Sequence, residues 1–156
     1  MSRRHLIQMT DTERDAFLAA PHNASLTTIG PDGYPHTTAM WYGLLDGIIH
    51  FATYAKSQKI LNARRNPKIS VLAEDGRSYA ELRGVMIQAD AEIIADADLA
   101  TEVMFDMTAR YEGVDVRSIG AGAMDAVRQR ASKRAVLRVV PVRIMSWDHG
   151  KLAGVY

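Results

Sequence analysis

The chain has 156 residues, 47% hydrophobic and 24% charged, with a net charge of +1. That length suits a single domain over 1–156, and a near-neutral balance with scattered basic residues argues against a nucleic-acid binder. Cysteine is absent, which excludes disulfides, thiolate metal sites and thiol nucleophiles. No apolar run reaches the roughly 20 residues that cross a bilayer, and residues 1–9 lack a signal core, so a cytoplasmic protein with no membrane partner is expected.

Thr10 and Glu13 have the spacing of a capping box, which predicts a helix at about 11–19 with Pro21 just beyond it. Residues 24–29 read as a strand. Gly30-Pro31-Asp32-Gly33 is a tight turn, and residues 35–44 are expected to return as the second strand of a hairpin. Leu45-Asp46-Gly47 turns the chain again into a third strand at 48–53. A short basic helix follows, with Ser57 as a side-chain N-cap, and Asn66-Pro67 stops it about two turns later. Residues 68–73 form an apolar strand. Residues 79–94 read as one long strand, alternating from Val85 onward.

Asp96 is placed to cap a helix reaching Tyr111, residues 112–120 read as a loop, and 123–133 as another helix. These make an inserted helical region at about 96–133. The last strand, 135–144, contains Pro141, which cannot donate to a ladder and so predicts an edge or a bulge. Strands that follow one another through hairpins, with helices inserted between some, predict a mainly β, antiparallel barrel with peripheral helices.

The helix start at 57–59 carries the chemistry. A hydroxyl at Ser57, free first-turn amides and Lys59 together suit a phosphate. An ordinary solvated helix with a normal cap has the same sequence. The strand Thr37-Thr38-Ala39-Met40-Trp41-Tyr42 combines two hydroxyls, a thioether and two flat rings. It reads either as a face for a planar heterocycle or as core packing. Ser118-Ile119-Gly120-Ala121-Gly122 lacks the third glycine of a dinucleotide loop, since position 125 is Asp125. The five histidines have no metal-binding spacing, so no metal is expected. Ser57 also lacks a nucleophile-elbow context.

These segments resemble the pyridoxamine 5'-phosphate oxidase-like superfamily of flavin-binding split β-barrels. The likeness rests on the run 26–42, on Phe51-Ala52-Thr53 with Lys56-Ser57-Gln58-Lys59 and Asn66-Pro67, on Glu81-Leu82-Arg83-Gly84-Val85, and on Ser146-Trp147-Asp148-His149-Gly150-Lys151-Leu152. It covers most of residues 10–152 and is similar above all to the branch that uses the deazaflavin coenzyme F420. The resemblance implies a Greek-key-like split barrel and a homodimer with its cofactor sites at the interface. Carried over by position, Thr53, Ser57 and Lys59 would hold the phosphate. Residues 37–42 (Thr37, Thr38, Ala39, Met40, Trp41 and Tyr42) would line the ring and polyol, with Arg77, Arg83 and Trp147 of the partner closing the site. Lys56, Arg64 and Arg65 would meet the acidic tail of the deazaflavin.

FMN-dependent oxidases of the superfamily have an Arg-Lys pair where this chain has Gln58-Lys59, and their basic substrate motif is replaced by Trp147-Asp148-His149-Gly150-Lys151. The expectation is therefore an F420-dependent reductase passing a hydride to a small planar hydrophobic acceptor, not one acting on pyridoxamine phosphate. Tyr42, Tyr79 and His149 are candidate proton donors. An FMN-dependent oxidoreductase of the same fold and a non-catalytic flavin-binding protein are the alternatives.

Overall fold

The computed structural model describes residues 4–152; the first three and last four residues of the expected domain lie outside that range. After a single turn, α1 (Arg4–Ile7), comes α2 (Asp11–Ala19), which starts where the capping box places it. Thr10 Oγ1 accepts from the Glu13 amide at 3.2 Å, and Glu13 Oε2 accepts from the Thr10 amide at 2.7 Å. Strands β1 (Ala24–Ile29) and β2 (Pro35–Met40) form the first hairpin. Strands β3 (Gly43–Leu45) and β4 (Ile48–Tyr54) form the second. Asp46 and Gly47 hold positive φ of 52° and 75° between them, as a tight hairpin turn requires. Next come α3 (Gln58–Arg65), β5 (Lys68–Asp75) and β6 (Arg83–Ile94). The chain continues through α4 (Ala97–Glu112), α5 (Val116–Ile119) and α6 (Ala121–Ala131) to β7 (Arg134–Asp148).

The seven strands make one antiparallel sheet in the order β2-β1-β5-β6-β7-β4-β3. Strands β2 and β3 are consecutive in the chain yet occupy opposite edges, joined only by Trp41 and Tyr42. Laid flat, six interstrand gaps would separate those edges by about 29 Å. Three Cα steps span at most about 11 Å. The sheet therefore has to curl until its edges meet, and the split β-barrel follows from connectivity.

The barrel interior holds Leu26, Phe51, Val71, Ala73, Val85 and Leu137, each almost or fully buried. Phe17 and Leu18 of α2 and Ile60 and Ala63 of α3 pack into the same core. Each large apolar side chain removed from water contributes about 1.5–3 kcal/mol before entropy is counted. Strand β4 is buried from Ile49 to Thr53 without alternation. Its inner residues face the barrel, while Ala52 lies outside with Val136 under Ala100, Val103 and Ala131 of α4 and α6. No helix among the described residues is long and apolar enough to cross a membrane.

The structure corrects five expected boundaries, the last strand, expected at 135–144, running on to Asp148 beside β6. The second strand ends at Met40, because the chain crosses between sheet edges at Trp41-Tyr42. The long strand begins at Arg83, because Ser78 and Glu81 cap a 3-10 turn at Tyr79–Glu81. The loop 112–120 contains α5, whose Arg117 amide donates to Asp115 Oδ1 at 3.0 Å. The helix expected at 123–133 sits two residues earlier, at Ala121–Ala131. Pro141 does mark a bulge: Gln88 pairs with Arg143 and Ala89 with Pro141, leaving Val142 extra. The strand is central, however, with β6 and β4 on either side.

Residues of α4 clamp the edge crossing. The Arg110 guanidinium donates to the carbonyls of Tyr42 at 2.6 Å, Leu18 at 2.8 Å and Ala20 at 3.1 Å. Leu18 and Ala20 belong to the C-terminal end of α2, where carbonyls lack helical partners and a cation is favoured. Arg110 also lies 4.5 Å over the Tyr42 ring. The Tyr111 hydroxyl accepts from the Tyr42 amide at 3.3 Å and donates to the His22 carbonyl at 2.6 Å. Asp106 Oδ2 accepts from the Leu44 amide at 2.7 Å, which covers the β3 edge. Arg110→Ala leaves the Tyr42 carbonyl without its donor and removes the cation from the end of α2, and is expected to cost about 2–3 kcal/mol, read as a shifted denaturation midpoint; a loss under about 1 kcal/mol would remove the clamp from this account.

Lys151 Nζ bonds Glu13 Oε2 at 2.5 Å and the Gln8 carbonyl at 2.9 Å, tying the C-terminal turn to α2. That lysine, with the Thr10 amide, lowers the Glu13 carboxyl from 4.5 to about 2. A depressed carboxylate stabilises the fold above its unfolded value, and the contribution is lost as pH falls from 4.5 through about 2. Glu13→Gln should therefore be less stable than wild type at neutral pH, with the two converging near pH 2 in denaturant titrations. A difference constant across that range would contradict the assignment.

Candidate functional site

Helix α3 opens directly after β4. Its first turn has unmet hydrogen-bonding capacity. The Ile60 and Leu61 amides return to the Ser57 carbonyl at 3.0 and 3.1 Å. The amides of Gln58 and Lys59 have no helical carbonyl one turn before them. Ser57 has the extended backbone of an N-cap, but its side chain makes no cap bond. This corrects the expected side-chain cap: the Ile60 amide it would satisfy is already taken by the Ser57 carbonyl. The Ser57 hydroxyl is left buried and without a partner.

Lys59 is half-buried and has no acidic partner among the described residues. Burial lowers its pKa below the ordinary 10.5. Thr53 is buried in β4, four residues before Ser57, and Lys56 is exposed beside the turn. Gln58 Nε2 donates to Asn62 Oδ1 at 2.8 Å. Asn62 is fully buried and donates to Thr28 Oγ1 at 3.0 Å, which fixes α3 against β1. Arg65 reaches the Ile29 carbonyl and Asn62 Oδ1. Arg65 thereby ties the end of α3 to β1 while staying exposed, as Arg64 does.

Residues 37–42 divide among different surroundings. Thr37 faces outward and shares a 2.9 Å hydrogen bond with Thr27. Thr38 pairs with Leu26, and His36 with Thr28. Directly paired residues share a face of the sheet, so His36 and Thr38 lie on the side where Thr28 meets α3. Thr38 Oγ1 and His36 Nδ1 are both buried without partners. Ala39 is exposed, and Met40 packs against the core. The expectation that both rings stand on this strand is corrected. Trp41 stacks on Tyr111 at 4.7 Å and 10°, although it remains 41% exposed. Tyr42 is fully buried, its hydroxyl donating to the Leu18 carbonyl at 2.8 Å. Burial pushes the Tyr42 phenol up, and the Tyr111 phenol up to about 12. Tyr42 is thus a scaffold residue and not an accessible proton donor.

Tyr79, His149 and Trp147 gather elsewhere. His149 Nδ1 lies 2.9 Å from the Tyr79 carbonyl, with the rings 4.5 Å apart. Arg83 pairs with Asp75 at 2.8 Å, and Arg77 is exposed. The Ala55 amide bonds the Lys133 carbonyl at 3.2 Å, so α3 starts beside the beginning of β7. Trp147 and His149 lie at its far end. A 15-residue strand places its ends roughly 45 Å apart along its length. Within one chain, the α3 start and the Trp147–His149 group do not meet around one small ligand. Among the described residues no group of three His, Cys, Asp or Glu is placed to hold a metal.

Sequence reasoning missed His36 and the clamp of Asp106, Arg110 and Tyr111. The alternation of β2 could have indicated His36. No local signal marks the clamp, because its partners lie 62 to 92 positions away.

Curled antiparallel sheet and barrel-closing crossing together define a split-barrel protein. The pyridoxamine 5'-phosphate oxidase family matches residues 10–148, and the chain belongs to that family. It is 34% identical over 88 residues to the F420H(2)-dependent biliverdin reductase of Mycobacterium tuberculosis (strain CDC 1551 / Oshkosh), spanning 54% of this chain and 64% of that protein. The crystal structure of a conserved hypothetical protein from Mycobacterium tuberculosis superposes with a TM-score of 0.89 at 40% identity, over 98% of this chain and 93% of that one. An F420 reductase structure matches in fold, with a TM-score of 0.62 at 23% identity over 83% of this chain and 94% of that one.

A half-buried cation without a partner opposes folding. The folded state holds the Lys59 proton less tightly than the unfolded chain, so stability rises with pH through the window just below 10.5. Lys59→Met should be more stable than wild type at neutral pH, with the gap closing toward pH 10.5. Thermal melts across that range test it, and a destabilised variant would show that Lys59 has a partner inside the fold.

Proposed function

We propose that this protein is an F420-dependent reductase acting as a homodimer in the cytoplasm. The observation that carries the reading is the start of α3, where a buried Ser57 hydroxyl without a partner, free amides and an unpaired Lys59 converge. Such a set is costly when empty and satisfied by a phosphate. Ser57, Lys59 and the first-turn amides hold that phosphate. Thr38 and His36 face the adjoining part of the cofactor from β2, and Thr53 backs the site. Gln58 stays on Asn62 and adds no charge, which favours the deazaflavin over FMN. The name of the mycobacterial relative, an F420H(2)-dependent reductase, supports the same choice.

When bound at the Ser57–Lys59 helix start, the reduced deazaflavin would supply the hydride for an electron-poor double bond of a small planar hydrophobic acceptor. The protein contributes binding, orientation and a proton. His149, held through its Nδ1 proton by the Tyr79 carbonyl, would deliver the Nε2 proton of its imidazolium form to the neighbouring atom. The length of β7 supports a dimer, because the phosphate end of one chain needs the Trp147–His149 end of another.

Fluorescence titration of the apo-protein with oxidised F420 and with FMN tests the reading. F420 should bind more tightly. Lys59→Met should weaken it by about 1.5–3 kcal/mol, roughly 10- to 150-fold, and Gln58→Arg should shift preference toward FMN. Binding of FMN alone would replace the deazaflavin assignment, and binding of neither would end it.

A further inference from the structure

A cleft lies at the far end of β7. Trp147, Met86, Met145, Arg143 and His149 line a cleft of about 530 Å³ that Arg4 also borders. That volume is in the range of small-molecule sites. Trp147 rests against Gly84, where a Cβ would stand 2.5 Å from its Cζ2, so this glycine lets the indole pack directly on the sheet. Met86 and Met145 are cross-strand partners, and thioethers adapt their shape to a flat ligand.

The charged groups of the cleft are all basic. Arg143 is exposed and has no carboxylate partner among the described residues, whereas Arg83 and Arg138 are paired with Asp75 and Glu92. His149 Nδ1 points at the Tyr79 carbonyl at 2.9 Å. A carbonyl only accepts, so the Nδ1 proton is committed and Nε2 is the atom left for a ligand. A planar guanidinium matches a carboxylate with two parallel hydrogen bonds.

We infer that this cleft binds planar apolar carboxylic acids, with Trp147 as the stacking surface and Arg143 as the carboxylate anchor. This names the acceptor class of the reductase proposed above and rests on that reading for the reduction, but the binding claim stands on the cleft alone. The apolar half of the lining, Trp147 with Met86 and Met145, favours a conjugated acid over a bare anion, and Arg143 favours it over a neutral ring.

Calorimetric titration of the full-length protein with 2-naphthoate and with 2-naphthamide tests the inference. The acid should bind at least roughly tenfold more tightly than the amide. Arg143→Gln should remove that preference while keeping the amide affinity, and Arg143→Lys should restore part of it. Trp147→Ala should weaken both probes, with circular dichroism reporting that each variant is folded. Equal binding of acid and amide, no binding of either, or a preference that survives Arg143→Gln overturns the inference. Displacement of naphthoate by inorganic phosphate at similar concentration also overturns it, because the cleft would then be a bare-anion site. An F420 titration on the same samples separates the two claims. Cofactor binding without naphthoate binding removes only the acid site. Naphthoate binding without cofactor binding removes only the reductase.

Discussion

Trp41 and Tyr42 carry the chain from one edge of a seven-stranded sheet to the other. Two residues cannot bridge a flat sheet of that width, so their crossing forces closure and gives the barrel an inside. Much of the remaining structure secures the crossing. Tyr42 is buried to hold the corner, Arg110 binds its carbonyl together with the carbonyl end of α2, and Tyr111 caps its amide and stacks on Trp41. Helix α4 thus acts as a clamp as well as a cover for β3 and β4.

Closure also positions the functional elements. It brings β1 and β2 against α3, where buried Asn62 links Gln58, Thr28 and Arg65. With α3 fixed, its first turn is presented without the bonds a helix start normally makes inside a fold. Ser57, Thr38 and His36 each keep a buried polar atom unsatisfied, and Lys59 keeps a charge that burial disfavours. Each of these carries an energetic cost, since buried polar groups are normally paired. Costs of this kind are what the proposed cofactor would offset.

The capping box at Thr10, the turn at 30–33, the Asp96 cap and the bulge at Pro141 were all legible because each is decided by neighbours a few residues apart. The same locality made the helix start at 57–59 legible. Failures occurred where the deciding partner is distant. Residues 35–44 look like one strand, since nothing local shows that their two halves pair with different edges. Residues 79–82 look extended, but a capped turn at the end of β6 winds them up. Two flat rings in sequence suggested a ring-binding face, although Tyr42 belongs to the interior and Trp41 to a stack with α4.

The sequence by itself determined the antiparallel β class, the hairpin turns, the helix caps and the residue types at the start of α3. These depend on backbone propensity and on hydrogen bonds spanning four residues or fewer. Only the tertiary structure decided that Ser57 has no bond to make, that Gln58 and Arg65 both bond to buried Asn62, and that Trp147 and His149 lie a full strand length from Lys59. Those outcomes depend on which distant groups the barrel brings together, and its closure is set by pairing between strands far apart in the chain.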